Sequence, residues 1–212
     1  MAYYDLEEQE QLAELKSWWK QYGKLVIAGI VLALAVTGAY LGWNAYKRDA
    51  AAKAATLYGA VNKALHEGDS KKARESAISL VEKHPKTAYA PLAALIAARL
   101  SFEVPDLAAA RQHLQWVVAN ARDEEMKNVA KLRLAAVLLD EKQYDEALKL
   151  LDVKPESPMG NLFADLRGDV YFAKGSLAEA RSAYQSALER TDTKSPYRNL
   201  IQIKIDALGE GK

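Results

Sequence analysis

Cysteine is absent from the 212-residue chain. Its absence excludes disulfides, thiolate metal sites and cysteine nucleophiles, and is compatible with either side of a membrane. Histidine is scarce: His66, His84 and His113 lie far apart. A metal site needs three or four convergent ligands, so these read as surface residues. No glycine-rich phosphate loop and no paired His/Glu metal motif occurs. A charge excess of either sign is missing too. The formal net charge is +1, with lysines and arginines interleaved among acids, so nothing marks a nucleic-acid partner. These absences leave no catalytic constellation, no metal and no cofactor, and they point away from an enzyme.

What the chain does have is one uncharged run, Leu25 to Tyr46. As a helix it extends roughly 33 Å at about 1.5 Å per residue, enough to cross a bilayer core. A cleavable signal peptide has a shorter apolar region near the start, about 7–15 residues. Here the run is longer and follows a tail with Asp5, Glu7, Glu8, Glu10 and Glu14, and charges at Lys47, Arg48 and Asp49 precede the alanines that could mimic a cleavage site. A retained anchor is therefore expected. Trp18, Trp19 and Tyr22 bracket one side of it and Tyr40, Trp43 and Tyr46 the other, as amphipathic rings do at the two interfaces. Gly38 and Gly42 form a GxxxG pair that would let a second membrane helix approach closely; such pairs also arise in isolated spans. Lys16, Lys20 and Lys24 on one flank balance Lys47, Arg48 and Lys53 on the other, so charge does not set orientation. The short tail and the uncleaved span lean toward an N-terminus inside.

Three segments are expected: 1–24, an amphipathic tail; 25–46, the transmembrane helix; and 47–212, a domain of about 165 residues, an ordinary size for one fold. In the tail, Leu12, Leu15, Trp19 and Tyr22 recur at helical spacing. That face suits a helix lying on lipid or, alternatively, a docking peptide for a cytosolic partner. From Lys47 to Leu65 there is no proline and only Gly59 as glycine, so the membrane helix is expected to continue into the domain.

The domain repeats itself. Asp69-Ser-Lys-Lys-Ala73, Asp106-Leu-Ala-Ala-Ala110, Gln143-Tyr-Asp-Glu-Ala147 and Ser176-Leu-Ala-Glu-Ala180 align, their final alanines 37, 37 and 33 residues apart. The period is near the 34 residues of a helix–turn–helix solenoid, and Gly68 and Gly175 precede two of the turns. The third copy is expected to have a second helix cut short near Pro155 and Pro158. Asp123-Glu124-Glu125 reads as a charged turn opening a helix. Pro196 to Leu208 has Ile201, Ile203 and Ile205 in strand-like alternation, yet a helix is expected because a solenoid needs a cap.

These residues resemble tetratricopeptide repeats. Gly168, Tyr171, Gly175, Leu177, Ala180, Tyr184 and Ala187 match best, with Leu57, Gly68, Ala73, Leu80 and Pro85 in the first copy and Leu107, Ala110 and Val117 in the second. The resemblance implies an all-α fold: an N-terminal transmembrane helix, a solenoid of about four helix pairs and a C-terminal capping helix. The repeat register implies a protein-binding groove lined by Tyr58, Asn62, Leu95, Arg99, Phe102, Leu132, Leu139, Asp165, Asp169 and Phe172. Such an apolar groove with a few charges suits an extended polypeptide or a partner helix, and no carboxylate clamp is matched. Burial of several of these side chains between repeats is the other reading.

The plan of the chain, its start Met1-Ala-Tyr-Tyr-Asp-Leu-Glu-Glu-Gln-Glu-Gln-Leu, and Trp18-Trp19 with Tyr22-Gly23 are similar to the ancillary SecYEG translocon subunits of Gram-negative bacteria, the YfgM family. The resemblance implies a non-enzymatic, single-pass inner-membrane protein with periplasmic repeats. It further implies association with SecYEG and the chaperone PpiD, handing exported polypeptides to periplasmic chaperones, and a tail linked to a cytoplasmic stress-response regulator. A scaffold in another envelope assembly, in cell-wall synthesis or division, would use the same fold and anchor.

Overall fold

The computed structural model describes residues 4–153 and 159–209. Pro155 and Pro158, the first three residues of the tail and residues 210–212 lie outside them. Among the described residues there are nine helices and no strand. They are α1 (Tyr4–His66), α2 (Ser70–Lys83), α3 (Tyr89–Glu103), α4 (Leu107–Asn120), α5 (Glu124–Asp140), α6 (Tyr144–Leu150), α7 (Gly160–Lys174), α8 (Leu177–Arg190) and α9 (Tyr197–Ala207). Two compact units divide within α1, at Ala52 and Lys53.

In the first unit, α1 contains a stretch long and apolar enough to cross a membrane. Leu25, Ile30, Leu34 and Leu41 are all exposed, so the apolar surface runs around the helix instead of forming a stripe. A helix hydrophobic all round needs an apolar medium on every side. Its one hydroxyl with a described bond in this stretch, Thr37 Oγ1, donates to the Ala33 carbonyl at 2.8 Å and so needs no water. The aromatic flanks pair within themselves: Trp18 with Tyr22 at 5.8 Å and Trp43 with Tyr46 at 6.1 Å between ring centroids. Lys47 Nζ lies 5.4 Å from the Trp43 ring, a cation–π contact where the apolar stretch ends. Space is open where a Cβ would stand on Gly38 or Gly42.

The second unit is built from helix pairs: the end of α1 with α2, α3 with α4, α5 with α6 and α7 with α8, closed by α9. Each pair turns in the same way. The backbone N–H of Asp69, Asp106, Gln143 and Ser176 donates back to the carbonyl of Ala64, Ser101, Leu138 and Tyr171, at 2.9, 2.9, 2.7 and 2.9 Å. This is the six-residue closure of a Schellman turn, which satisfies a helix-end carbonyl that would otherwise be orphaned. Gly68, Lys142 and Gly175 take the left-handed conformation in three of these turns, at φ of 75°, 60° and 85°. Asp69 and Asp106 then cap the next helix, accepting from the N–H of Lys72 at 2.9 Å and of Ala109 at 3.1 Å. Asp123 does the same for α5 through Glu125 N–H at 2.8 Å, with Glu124 and Glu125 in the first turn beside the positive end of the helix dipole.

The four aligned alanines, Ala73, Ala110, Ala147 and Ala180, are all buried, each one turn inside its second helix. Successive pairs stack α2 on α3, α4 on α5, and α6 and α5 on α7. A central core runs from Ala94 and Leu114 through Leu134 and Leu138 to Phe163. Val61 and Leu80 of the first pair share a core with Ala93 of α3, and Ala164 and Tyr184 of the last pair share one with Ile201 of α9. Helix α6 has only seven residues, and Leu151 behind it is fully buried. In α9, Ile201 and Ile205 face inward while Ile203 is 63% exposed. The isoleucine alternation is therefore a helical i, i+4 pair with an outward residue between.

Two substitutions probe this geometry. Lys142→Gly removes a left-handed non-glycine residue and is expected to stabilise the repeats by about 0.5–1 kcal/mol, read as a higher unfolding midpoint in detergent micelles. Gly168→Ala would set a methyl 2.3 Å from the buried Tyr184 ring. It is expected to destabilise by about 1–3 kcal/mol in the same measurement.

Candidate functional site

A cleft of about 400 Å³ opens between α3 and α5, over α4. Its floor is small and apolar: Ala98 from α3, Ala110 and Leu114 from α4, and Ala136 and Val137 from α5. Its rim carries Arg99, Phe102 and Glu103 on one side and Arg133 on the other. Three of its lining residues, Ala98, Ala110 and Ala136, are alanines, whose small side chains leave volume unfilled. Phe102 is half exposed at the mouth. Arg99 Nε donates to Glu103 Oε1 at 3.1 Å, one turn along the helix, so Glu103 is neutralised in place.

Of the groove residues expected from the repeat register, Arg99 and Phe102 meet at this cleft. Leu95, Leu132 and Leu139 are half-buried against the central core. Tyr58 and Asn62 lie half-buried at the first pair, with Tyr58 5.5 Å from Tyr89 between ring centroids. Phe172 is half exposed on α7. Arg133, Ala136 and Val137 at the cleft escaped the sequence reading. Arg133 stands next to Leu132, which the register carried over, but one residue is about 100° around a helix, enough to exchange a core direction for an open one. The signal available was the i, i+3 spacing of Arg133 and Ala136, the same spacing as Arg99 and Phe102.

Asp165 and Asp169 occupy a different environment. Asp165 is buried, and its Oδ2 accepts from Tyr197 Oη at 2.5 Å and from Lys204 Nζ at 2.8 Å. Asp169 accepts from Tyr184 Oη at 2.7 Å on Oδ1 and from Lys204 at 2.9 Å on Oδ2. One ammonium thus joins two carboxylates of α7 to α9, while Tyr184 brings in α8. Lys204 also lies 5.4 Å from the Tyr184 ring. Burial, and then the bond to Asp169, keep the Tyr184 phenol protonated far above its usual range; burial and Asp165 do the same for Tyr197. For Lys204, burial opposes the charge, but the hydrogen bonds and charges of Asp165 and Asp169 together outweigh it and raise its pKa. The acids of α7 are therefore engaged by α9, in an arrangement that holds the cap to the last repeat.

Lys204→Met strands both carboxylates, one of them buried, and is expected to cost about 2–3 kcal/mol at pH 7. Adding Asp165→Asn should recover part of that loss. Because the lysine's pKa is raised by folding, its contribution is complete below its ordinary value of 10.5 and is lost only as pH climbs through the raised value. Thermal unfolding of wild type and variant between pH 7 and pH 11 should accordingly converge toward the alkaline end.

Residues 16–210 match the family described as tetratricopeptide repeat-like domain. An ancillary SecYEG translocon subunit of Neisseria gonorrhoeae is 36% identical over 207 residues, covering 96% of this chain and 98% of that protein. One from Escherichia coli K12 is 31% identical over 204 residues, covering 95% and 96%. Among solved structures, MamA from Desulfovibrio magneticus RS-1 superposes with a TM-score of 0.57 at 20% identity, covering 74% of this chain and 90% of that one, a likeness of fold alone. The turns, the buried alanines and the full-length similarity agree: the chain belongs to the family of ancillary SecYEG translocon subunits, non-enzymatic proteins built on a tetratricopeptide repeat-like domain.

Proposed function

We propose that this protein is an accessory subunit of the SecYEG translocon, anchored in the inner membrane by Leu25–Tyr46. Its N-terminus is cytoplasmic and its repeats are periplasmic. The repeats bind exported polypeptides and the membrane-anchored chaperone PpiD, and pass emerging chains to periplasmic chaperones. The tail, residues 1–24, is the segment available to a cytoplasmic stress-response regulator. The observation that carries this reading is the joining, in one chain, of an apolar span uncovered on every side with a tetratricopeptide domain, over the same extent as relatives named for the translocon. The half-exposed Phe102 and Phe172 support the polypeptide-binding part, since exposed aromatic surface on a repeat domain is a usual anchor for a partner chain. Gly38 and Gly42, with nothing near the place of their missing Cβ, support a helix partner within the bilayer.

Photocrosslinkers at Phe102 and Phe172 in intact membranes should capture PpiD or nascent secretory chains. Capture of lipid alone, or recovery of division proteins in mild detergent without any Sec component, would overturn the reading in favour of another envelope scaffold. The double change Gly38→Leu and Gly42→Leu should reduce recovery of SecYEG severalfold with insertion unchanged; equal recovery would show that these glycines have no partner.

A further inference from the structure

The cleft between α3 and α5 has an asymmetry that its apolar floor alone does not explain. Its two arginines and one glutamate leave one positive charge at the mouth. Glu103 is already bonded by Arg99 on the same helix. Arg133, exposed on the opposite rim, makes no hydrogen bond or ion pair among the described residues. The space, about 400 Å³, is at the lower end of the range for ligand pockets, roughly 300–1,000 Å³. It takes one or two side chains and not a folded partner. A docked amphipathic helix would need a long apolar track with anchors at i, i+3, i+4 and i+7. The lining here is confined to one stretch of α3, the facing stretch of α5 and Ala110 and Leu114 of α4 beneath them, a short patch that suits a single anchor on an extended strand of chain.

We propose that this cleft holds one bulky apolar side chain of an extended polypeptide, with an aspartate or glutamate beside that side chain pairing with Arg133. The occupant is thus an acidic-apolar segment, recognised by shape at the floor and by charge at one rim. Phe102 supplies an aromatic wall against which the inserted side chain packs edge to face. Arg133, on the far rim, fixes which flank of the segment may be charged and with what sign. The proposal rests on the reading of the repeats as a polypeptide adaptor, and narrows it to one cleft and one kind of segment.

The test uses full-length protein in detergent micelles and short fluorescein-labelled Gly/Ser peptides carrying a single phenylalanine. In one peptide glutamates flank the phenylalanine, in a second lysines do, and in a third the phenylalanine of the first is alanine. Fluorescence anisotropy should show the glutamate peptide binding about three- to tenfold tighter than the lysine peptide, with the gap shrinking as salt rises. The alanine peptide should bind weakest. Arg133→Glu, a change on an exposed rim, should reverse the preference, and Ala136→Trp, which fills the floor, should abolish binding of both. Equal binding of the two charged peptides, a preference unmoved by Arg133→Glu, or binding that survives Ala136→Trp would each overturn the proposal. So would no binding at all. SecYEG recovered by the same protein in the face of any of these results leaves the adaptor reading standing and removes only the cleft; loss of SecYEG association removes the adaptor reading itself.

Discussion

Each helix pair of the repeat domain depends on a buried methyl. Ala73, Ala110, Ala147 and Ala180 are enclosed one turn into the second helix, where it runs back against the first. The separation of packed helices is set by the side chains at the crossing, about 8–10 Å, and alanine gives the lower end. The tight Schellman turn before each crossing brings the second helix back within a few residues, so a larger side chain would have to prise the pair open. Gly168 under the Tyr184 ring extends the same constraint to the last pair, where even a methyl does not fit. Close approach has a cost in apolar area, because alanine buries less than leucine. The core answers this by continuing through every repeat, from Val61 in the first pair to Ile201 in the cap.

The same small residues produce two opposite outcomes on the surface of the stack. At α3 and α5 the alanines leave a hollow with arginine at its rim. At α7 the corresponding space is closed by α9, whose Lys204 and Tyr197 meet Asp165 and Asp169. Acids on a repeat helix would be open to solvent or a partner if the chain stopped at α8. With α9 present, Lys204 balances one of their two charges and tyrosine hydroxyls hydrogen-bond both carboxylates, an arrangement that costs less to bury than an unpaired acid. Lys174 with Asp145 and Arg111 with Glu141 and Glu146 tie neighbouring repeats at the surface. Lys174–Asp145 is largely solvated and adds little to stability, whereas Arg111 and Glu141 are mostly covered, at 28% and 20% side-chain exposure.

The N-terminal unit follows different rules. A helix with Leu25, Val31, Leu34 and Leu41 exposed on all sides would be an aggregation hazard in water, and in a bilayer it is the expected solution. Its aromatic flanks give the apolar stretch defined ends, and Lys47 stands against Trp43 at one of them. Membership of a family named for the SecYEG translocon accords with that surface.

Much of this was legible along the chain. An uncharged run of 22 residues from Leu25 to Tyr46 states its own medium. Turns recur at Asp69, Asp106, Gln143 and Ser176 because a cap, a tight turn and a small residue must lie at fixed local spacings, and local rules are written in adjacent residues. Even Ile201, Ile203 and Ile205, which alternate like a strand, yielded to the need for a helical cap. What the sequence by itself could not determine was direction: which of Leu132 and Arg133 faces the core, or whether Asp165 meets solvent or Lys204, 39 residues away. Those choices depend on how far each helix is rotated against neighbours from other repeats, a quantity set by the sum of distant side-chain contacts. The order of elements is thus a property of the chain, and the chemistry of its surfaces is a property of the packing.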